Sequence, residues 1–327
     1  MKMRTAILGW LFAFASTCAI ASDPLPSWND GAAKQRIVAF VEAVTQQGGK
    51  DFVPEPERIA TFDNDGTLWV EQPLYVQFAF MLDMLRAAAP KHPEWNDNAA
   101  FKALAAHDRK ALAAMGQKPL LELLGVANSG MTVADYDKAI RDWLKTAQHP
   151  KLKRPYTDLV YAPMQELLAY LRANGFKTFI VSGGSVEFMR PWAEAAYGIP
   201  PWQIVGSQQD VKFDTRDGKP VLTRGPAFAF IDDGPGKPVG IYRQIGVRPI
   251  AAFGNSDGDK EMLEVAAAGE HRNLVLIVHH DDAAREFDYD RASEVGKLDK
   301  AWDEAKAKGW IVVSMKSDWK KVFAFEQ

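Results

Sequence analysis

The sequence predicts an α/β fold in which a doubly wound parallel sheet carries an inserted helical cap. Short apolar segments typical of buried strands alternate with helix-like segments from residue 59 onward, which is the pattern of a parallel sheet wound by helices. The continuous Leu/Val/Ile run at 274–278 is typical of a strand covered on both faces. Residues 75–148 show helical spacing and no β-rich run, which indicates a helical insert.

The first 21 residues read as a cleaved secretory signal peptide. Lys2 and Arg4 precede an apolar run at 6–15, and Ala19-Ile20-Ala21 resembles a cleavage site. The run is shorter than the roughly 20 residues of a transmembrane helix. We therefore expect a secreted or periplasmic protein with no membrane span after cleavage. Lipid attachment at Cys18 is the less favoured alternative.

Length, net charge and cysteine count exclude several classes of function. The 327 residues are 47% hydrophobic and 25% charged, with a net charge of −3. This length accommodates one α/β core and an inserted module. The balanced charge offers no basic surface, so we expect no nucleic-acid partner. Cleavage after residue 21 would remove the single cysteine, leaving neither a disulfide nor a thiol catalyst. No pattern specifies an oligomeric state.

The order of the elements divides the rest of the chain into three parts. Residues 22–74 are an N-terminal arm and the start of the core, with a helix-like segment at 35–46 and a strand at 59–62. Residues 75–155 are the helical cap, with helical spacing at 75–88, 99–115 and 133–146. Residues 156–327 complete the core: helices at 164–173, 239–245, 260–267 and 299–308 alternate with strands at 177–181, 249–253, 274–278 and 310–314. Alternating runs around residues 217–218 predict a hairpin-containing excursion at about 203–230.

The most informative segment is the turn Asp63-Asn64-Asp65-Gly66-Thr67, directly after the first strand. The carboxyl ends of parallel strands are where α/β proteins place their ligands. Two carboxylates one residue apart repel each other unless a cation or a proton holds them. They suit a divalent metal with oxygen ligands, beside one group that attacks and one that transfers a proton. The alternative is an ordinary Asx-rich turn, since Asp, Asn and Gly are common turn residues.

Three further polar turns follow strands or begin helices. Ser182-Gly183-Gly184-Ser185 offers hydroxyls and backbone N–H groups to an anion, or a helix cap. Lys237 lies just before a predicted helix and could neutralise a phosphate or simply be solvated. The loop 254–259 carries Asn255, Asp257 and Asp259, which suit a magnesium site or a solvated loop capping the next helix.

Taken in order, these turns resemble the motifs of the haloacid dehalogenase superfamily over roughly residues 59–278, and within it the phosphoserine phosphatases and related small-molecule phosphatases. The resemblance implies a Rossmann-like core with a helical cap between the first and second motifs. It implies that Asp63 is the nucleophile and Asp65 the general acid/base. Ser182, Gly183 and Lys237 would bind the substrate phosphate. Mg²⁺ would be held by Asp63, the backbone carbonyl of Asp65, and Asn255 or Asp259.

The resemblance departs from the family pattern at one position. The metal loop commonly reads G-D-x-x-x-D, and here Asn255 replaces the first acid. An amide oxygen can coordinate magnesium but carries no charge. A shifted register would instead bring Asp257 to the metal, so the direct ligand from this loop stays open.

The resemblance implies an exported, magnesium-dependent phosphatase acting on small phosphate monoesters through an aspartyl-phosphate. Three alternatives remain. A dehalogenase would use the same nucleophile, but a halide leaving group needs no acid at Asp65. A phosphomutase would act on a sugar phosphate expected inside the cell. A secreted binding protein that keeps the fold without turnover is favoured only by Asn255.

Overall fold

The computed structural model describes residues 23–326, apart from 107, 109–110, 112–113, 116–124 and 126–128. The predicted signal peptide, including Cys18, and part of the predicted cap helix at 99–115 lie outside the described residues. Within the described part of the chain, no helix is both long enough and apolar enough to cross a membrane.

A mixed, mainly parallel sheet forms the centre of the molecule, which confirms the predicted α/β class. Its strands, in the described residues, are β1 (Ile59–Phe62), β2 (Lys177–Ser185), β3 (Ile204–Arg216), β4 (Lys219–Phe230), β5 (Ala251–Gly254), β6 (Leu274–Asp281), β7 (Asp288–Tyr289) and β8 (Ile311–Ser314). The order is β4-β3-β2-β1-β5-β6-β7, with β8 beside β6. All pairs are parallel except β3 with β4 and β6 with β7. β1 is therefore central, between β2 and β5.

Helices cover the sheet and form the insert. Over the described residues, the helices are α1 (Ala32–Thr45), α2 (Val76–Ala88), α3 (Ala99–Ala105), α4 (Val133–Leu144), α5 (Ala162–Ala173), α6 (Val186–Met189), α7 (Ala193–Tyr197), α8 (Gly236–Gln244), α9 (Lys260–Ala267), α10 (Lys300–Lys308) and α11 (Met315–Asp318). Helices α2, α3 and α4 lie between β1 and β2 in the chain, where the helical cap is predicted. Thr132 begins α4 by accepting a hydrogen bond from the Asp135 N–H at 3.0 Å.

Alternation along the strands gives the sheet an apolar layer on each face. Ile180 and Ala251 belong to one buried cluster, and their neighbours Val181 and Ala252 belong to another. In the first cluster, the rings of Phe62 and Phe253 stack at 4.3 Å across β1 and β5. Both faces of the central strands are therefore buried, and the polar turns begin where these packed strands end.

Among the element boundaries that differ from the sequence-based prediction, two lie beside the predicted polar turns. β2 continues through Ser185, whose hydroxyl oxygen accepts the Phe188 N–H and begins the four-residue helix α6. Helix α8 begins at Gly236 instead of residue 239, so Lys237 lies in its first turn. Pro238 marks a helix start because a first-turn residue needs no intrahelical N–H donor. A Cβ at Gly236 would fall 2.2 Å from the Ile231 carbonyl oxygen, so only glycine fits there.

Candidate active site

The register of the three central strands brings the predicted turns to one edge of the sheet. Phe62 of β1 aligns with Ile180 of β2 and with Phe253 of β5. The residues that follow are therefore neighbours, and the Asp63 N–H donates to the Phe253 carbonyl at 2.9 Å. The turn at residues 63–67, here called the nucleophile turn after its predicted role, thus lies between the serine turn at residues 182–185 and the 254–259 loop.

Lys237 joins the nucleophile turn to the 254–259 loop. Its ammonium group donates to Asp63 Oδ1 at 2.7 Å, to Asp259 Oδ1 at 2.5 Å and to the Val181 carbonyl at 3.0 Å. All three donors are thereby used, and the side chain is buried. Burial raises the pKa of Asp63 above its ordinary value, and the repulsion from Asp259 adds to this, while Lys237 opposes it. Lys237 therefore positions the carboxyl group of Asp63, the predicted nucleophile, and favours its ionised form.

Asp65 has different partners from Asp63. Its Oδ1 accepts the indole N–H of Trp69 at 2.8 Å, which fixes its position without supplying charge. Burial raises the pKa of Asp65 to about 6, with the hydrogen bond from Trp69 acting in the opposite direction. A carboxyl group with this pKa can both give and take a proton near neutral pH.

Glycine and tyrosine residues shape the nucleophile turn. Gly66 has a φ of +76°, a conformation that other residues rarely adopt. The Asn64 side-chain oxygen accepts the hydroxyl of the buried Tyr197 at 3.0 Å. The positive φ of Gly66 therefore shapes the backbone of the turn, and the hydrogen bond from Tyr197 of α7 fixes its Asn64 side chain.

The acids of the 254–259 loop bind donors of their own loop and of neighbouring helices. Asp259 Oδ2 accepts the N–H groups of Asn255 and Ser256, both at 2.9 Å, while its Oδ1 accepts Lys237. Asp257 Oδ1 accepts the N–H groups of Asp299 and Ala301 at the start of α10, both at 2.9 Å. Both carboxylates are engaged in protein contacts, and the metal assignment of Asp259 stays a prediction.

These groups surround a cavity of about 180 Å³. The cap contributes Tyr75 and residues of α2, and the end of β4 contributes Phe228. The lining side chains and backbone come from Asp63, Asp65, Glu71, Tyr75, Gln77, Phe78, Met81, Ser182, Gly183, Gly184, Ser185, Ser207, Phe228, Ile231, Asp233, Lys237, Ser256 and Asp259. This space holds several waters or a small molecule.

The predicted phosphate-binding residues lie at this cavity. The Ser182 hydroxyl oxygen accepts the Gly184 N–H at 3.1 Å, and its proton has no acceptor among the described residues. Gln77 of α2 closes over this turn: its Oε1 accepts the Ser185 N–H at 2.8 Å, and its amide donates to the Ser185 hydroxyl at 3.2 Å. Two hydrogen bonds of Gln77 thus connect helix α2 of the cap directly to the serine turn.

The cavity carries an excess of negative charge. Its described lining contains five carboxylates, from Asp63, Asp65, Glu71, Asp233 and Asp259, against the single ammonium of Lys237. Such an excess disfavours an anionic substrate unless a cation is bound or some of the acids are protonated.

The oxygens at this edge fit a hard divalent cation. The Asp65 carbonyl and Asp63 Oδ2 accept no hydrogen bond from the described residues, and Asn255 Oδ1 accepts only the Thr67 hydroxyl, at 3.2 Å. Carboxylate, carbonyl and amide oxygens are the ligands that Mg²⁺ uses. The described residues contain no group of three or more His, Cys, Asp or Glu side chains that could hold a metal. The predicted set is not such a group, because two of its oxygens come from an amide and a backbone carbonyl.

Several residues at the site were missed by the sequence analysis. Glu71 lines the cavity, and burial raises its pKa well above the ordinary value while Tyr289 opposes that shift. His280 places Nε2 2.7 Å from the Gly66 carbonyl oxygen and Nδ1 3.1 Å from Glu286. None of these residues belongs to a short motif, and Glu71 lies in a mainly apolar stretch, so no local signal marks them.

Comparisons with known proteins agree with this architecture. A family model described as haloacid dehalogenase-like hydrolase matches residues 60–264. No curated protein sequence matches the chain. The chain is similar to a solved structure described as a conserved functionally unknown protein from Anaerococcus prevotii DSM 20548, with 15% identity and a TM-score of 0.54 over 90% of this chain and 96% of that one.

Two further solved structures have lower scores. A protein of unknown function from Bordetella pertussis Tohama I has 16% identity and a TM-score of 0.48, covering 79% of this chain and 98% of its own. A phosphoserine phosphohydrolase-like protein from Francisella tularensis subsp. tularensis SCHU S4 has 17% identity and a TM-score of 0.37, covering 68% and 87%. At this level of identity, the similarity of the Anaerococcus protein shows the fold alone.

Proposed function

The chain belongs to the haloacid dehalogenase-like hydrolase family, and on that premise we propose that it is a magnesium-dependent phosphatase that hydrolyses small phosphate monoesters. The observation that carries this proposal is the unequal environment of two acids in one turn. Asp63 is ion-paired to Lys237, whereas Asp65 is hydrogen-bonded to the neutral indole of Trp69. The pairing favours Asp63 as the nucleophile and Asp65 as the residue that transfers protons.

The reaction has two steps on this assignment. In the first, a carboxylate oxygen of Asp63 bonds to phosphorus as the ester P–O bond breaks, and Asp65 donates its proton to the leaving alkoxide. In the second, a water molecule attacks the phosphorus of the aspartyl-phosphate, Asp65 takes a proton from that water, and Asp63 is released with inorganic phosphate. Asp65 therefore returns to its protonated form after each turnover.

The surroundings of the turn would stabilise the transferring group. The Ser182 hydroxyl and the backbone at Gly183 line the cavity and would orient phosphoryl oxygens, while Lys237 keeps positive charge beside Asp63. A magnesium ion held by Asp63, the Asp65 carbonyl and Asn255 would supply charge stabilisation for the phosphoryl oxygens. The excess of acids in the lining supports this cation requirement.

The size of the cavity supports a small leaving group. A cavity of this size suits a small phosphate ester better than a polymer. Apolar side chains from the cap and hairpin, among them Phe78, Met81 and Phe228, face the same space. We expect the cap to exclude water and to choose the alcohol part of the ester.

A panel of small phosphate monoesters tests the proposal. Purified protein should release inorganic phosphate from some members when Mg²⁺ is present, and a chelator should abolish the release. No release from any ester, or release that is unchanged in chelator, would contradict it. A matched panel of haloacids tests the dehalogenase alternative, which Asp65 disfavours because a halide needs no proton.

We also propose that the protein is exported, on the basis of the N-terminal segment alone. Fractionation of cells that express the full sequence should place it outside the cytoplasm, with a mature N-terminus near Ser22. A cytoplasmic protein that begins at Met1, or one that carries a lipid on Cys18, would contradict this proposal.

A further inference from the structure

Asn255, which stands where the family pattern has an acid, contacts a carboxylate from another segment. Its Nδ2 donates to Glu71 Oε1 at 2.6 Å, although the two residues are 184 positions apart. The same Oε1 accepts the Tyr289 hydroxyl at 2.8 Å. The second oxygen, Oε2, accepts no hydrogen bond from the described residues, and the Glu71 side chain lines the cavity with Asp63 and Asp65.

This contact orients the amide of Asn255. Asn255 Nδ2 donates to a carboxyl oxygen that also accepts the Tyr289 hydroxyl, which assigns the NH₂ group to the side of Glu71. The amide oxygen is then directed away from Glu71 and accepts the Thr67 hydroxyl at 3.2 Å. Asn255 therefore offers its oxygen, and not its NH₂ group, on the side of the nucleophile turn.

The backbone leaves space for this pair and for nothing larger. A Cβ at Gly66 would fall 2.1 Å from Asn255 Nδ2 and 2.3 Å from Glu71 Oε1. A Cβ at Gly296 would fall 1.9 Å from Glu71 Oε1. Glu71 and Asn255 are each 1% exposed, so two glycines from distant segments enclose the pair.

We propose that Glu71 and Asn255 together replace one acidic metal ligand. Asn255 would contribute the oxygen that contacts the cation. Glu71, whose ionised form a bound cation would favour, would contribute the missing negative charge and hold the amide in the binding orientation. Groups behind a metal ligand fix its orientation and tune its affinity for the ion. The inference rests on the magnesium requirement of the proposed function.

A charge exchange between the two positions gives a direct test. Glu71→Gln keeps an oxygen that can accept from Asn255 and Tyr289 but removes the charge. In Glu71→Gln/Asn255→Asp, the NH₂ group of residue 71 can donate to the carboxylate at 255. The double variant therefore reverses the hydrogen bond and restores the charge. Asn255→Asp alone places two carboxylates 2.6 Å apart.

The readout is the dissociation constant of Mg²⁺ for the chelator-treated full chain, measured by calorimetry without substrate. Glu71→Gln should weaken binding by about 10–100-fold, the usual effect of changing such a supporting group. The double variant should return to within about threefold of wild type, because charge and hydrogen bond are both recovered. Asn255→Asp alone should lower the melting temperature of the metal-free protein, with the loss reduced by added Mg²⁺.

A matched control removes one charge elsewhere. Glu166 accepts two hydrogen bonds from Ser27, at 2.8 and 2.6 Å, and does not line the cavity, so Glu166→Gln should leave Mg²⁺ affinity unchanged. Glu71→Gln with wild-type affinity would overturn the inference and leave the phosphatase proposal intact. A double variant as weak as Glu71→Gln would overturn the exchange of charge; if the double variant does not fold, the comparison of Glu71→Gln with Glu166→Gln decides. Absence of Mg²⁺ binding by wild type would instead contradict the proposed function.

Discussion

Two acid-rich turns follow adjacent buried strands, and their carboxylates have different tasks. In the turn after β1, Asp63 and Asp65 line the cavity, and each keeps acceptor capacity unused by the described residues. In the loop after β5, Asp257 holds the start of α10, and Asp259 holds its own loop and Lys237. Asp259 also lines the cavity, but the carboxylates of its loop are used to hold the site in shape, whereas the first turn keeps free acceptor oxygens at the cavity.

The difference shows that acid content alone does not identify catalytic groups. Both segments combine acids, an amide and a glycine directly after a four-residue strand. What separates them is the supply of donors around each oxygen. Backbone N–H groups and Lys237 surround Asp259, whereas Asp65 receives one indole N–H from Trp69. Carboxylates without a full set of donors are the ones available for chemistry.

The largest effect is expected at Asp63, the proposed nucleophile. Asp63→Asn keeps the size of the side chain but removes the attacking charge, so phosphatase turnover should fall by roughly 10⁴-fold or more. Phosphate release by the purified variant measures this effect, and circular dichroism checks that the fold is retained. Near-normal turnover would exclude the covalent mechanism.

Asp65→Asn should cause the second-largest loss of turnover. Its amide cannot donate an acidic proton to the leaving alkoxide, and general acid/base groups contribute about 10²–10⁴-fold to a rate. Esters with very good leaving groups need less protonation, so the loss should be smaller for nitrophenyl phosphate than for an alkyl phosphate. An equal loss for both esters would argue against proton transfer by Asp65 in the first step.

Asp259→Asn tests the supporting role of the second turn. An amide there must turn its NH₂ group toward either Lys237 or the backbone donors, which leaves buried donors facing each other. Breaking a buried ion pair costs about 3–5 kcal/mol, so the free energy of unfolding should fall by about that amount. Urea denaturation measures it. A fall below about 1 kcal/mol would show that Asp259 is not a structural anchor.

Asp232 extends the comparison to a buried acid without a hydrogen-bond partner for its carboxylate among the described residues. Burial raises the pKa of Asp232 to about 7, with Lys237 opposing. A raised folded-state pKa means that the contribution to stability is present at low pH and is lost as pH rises through about 7. Asp232→Asn should therefore be the more stable protein at pH 8, by up to about 4 kcal/mol, at about 1.36 kcal/mol per unit. The difference in unfolding free energy between Asp232→Asn and wild type should be larger at pH 8 than at pH 5. An equal difference at the two pH values would contradict this prediction.

The smallest effect is expected at Asp257. Asp257→Ala removes the acceptor for two N–H groups at the start of α10, which should cost about 0.5–2 kcal/mol of stability. Thermal melting measures the loss. Mg²⁺ affinity should stay at the wild-type value; a clear decrease would mean that Asp257, and not Asn255, serves the metal.

Residues of β6 and β7 also contact the nucleophile turn and the Glu71 side chain beside it. His280 lies beside the Gly66 carbonyl, and Tyr289 holds Glu71, yet both residues lie outside the segment 60–264 that matches the family model. The ring of His280 stacks on that of Tyr289 at 4.4 Å. Residues beyond the shared core therefore fix groups at its centre.

The sequence by itself determined the fold class, the central strands and the residue types at their carboxyl ends. Strand 59–62 coincides with β1, and helix 260–267 coincides with α9, because period and turn residues act within a few positions of each other. The start of α8 was predicted three residues too late, because Pro238 normally breaks a helix but is accepted in its first turn. Local patterns thus located the candidate nucleophile turn, and the roles of its residues remain predictions.

Only the tertiary structure decided which partner each polar atom has. The Glu71–Asn255 contact spans 184 positions and the His280–Gly66 contact 214, so no local pattern contains either pair. The same holds for Lys237, whose position between Asp63 and Asp259 depends on how α8 packs against β2 and β3. Backbone conformation is set mainly by near neighbours along the chain. The charge and hydrogen bonding of a buried carboxylate are set by whatever the packed core brings within about 3 Å of it.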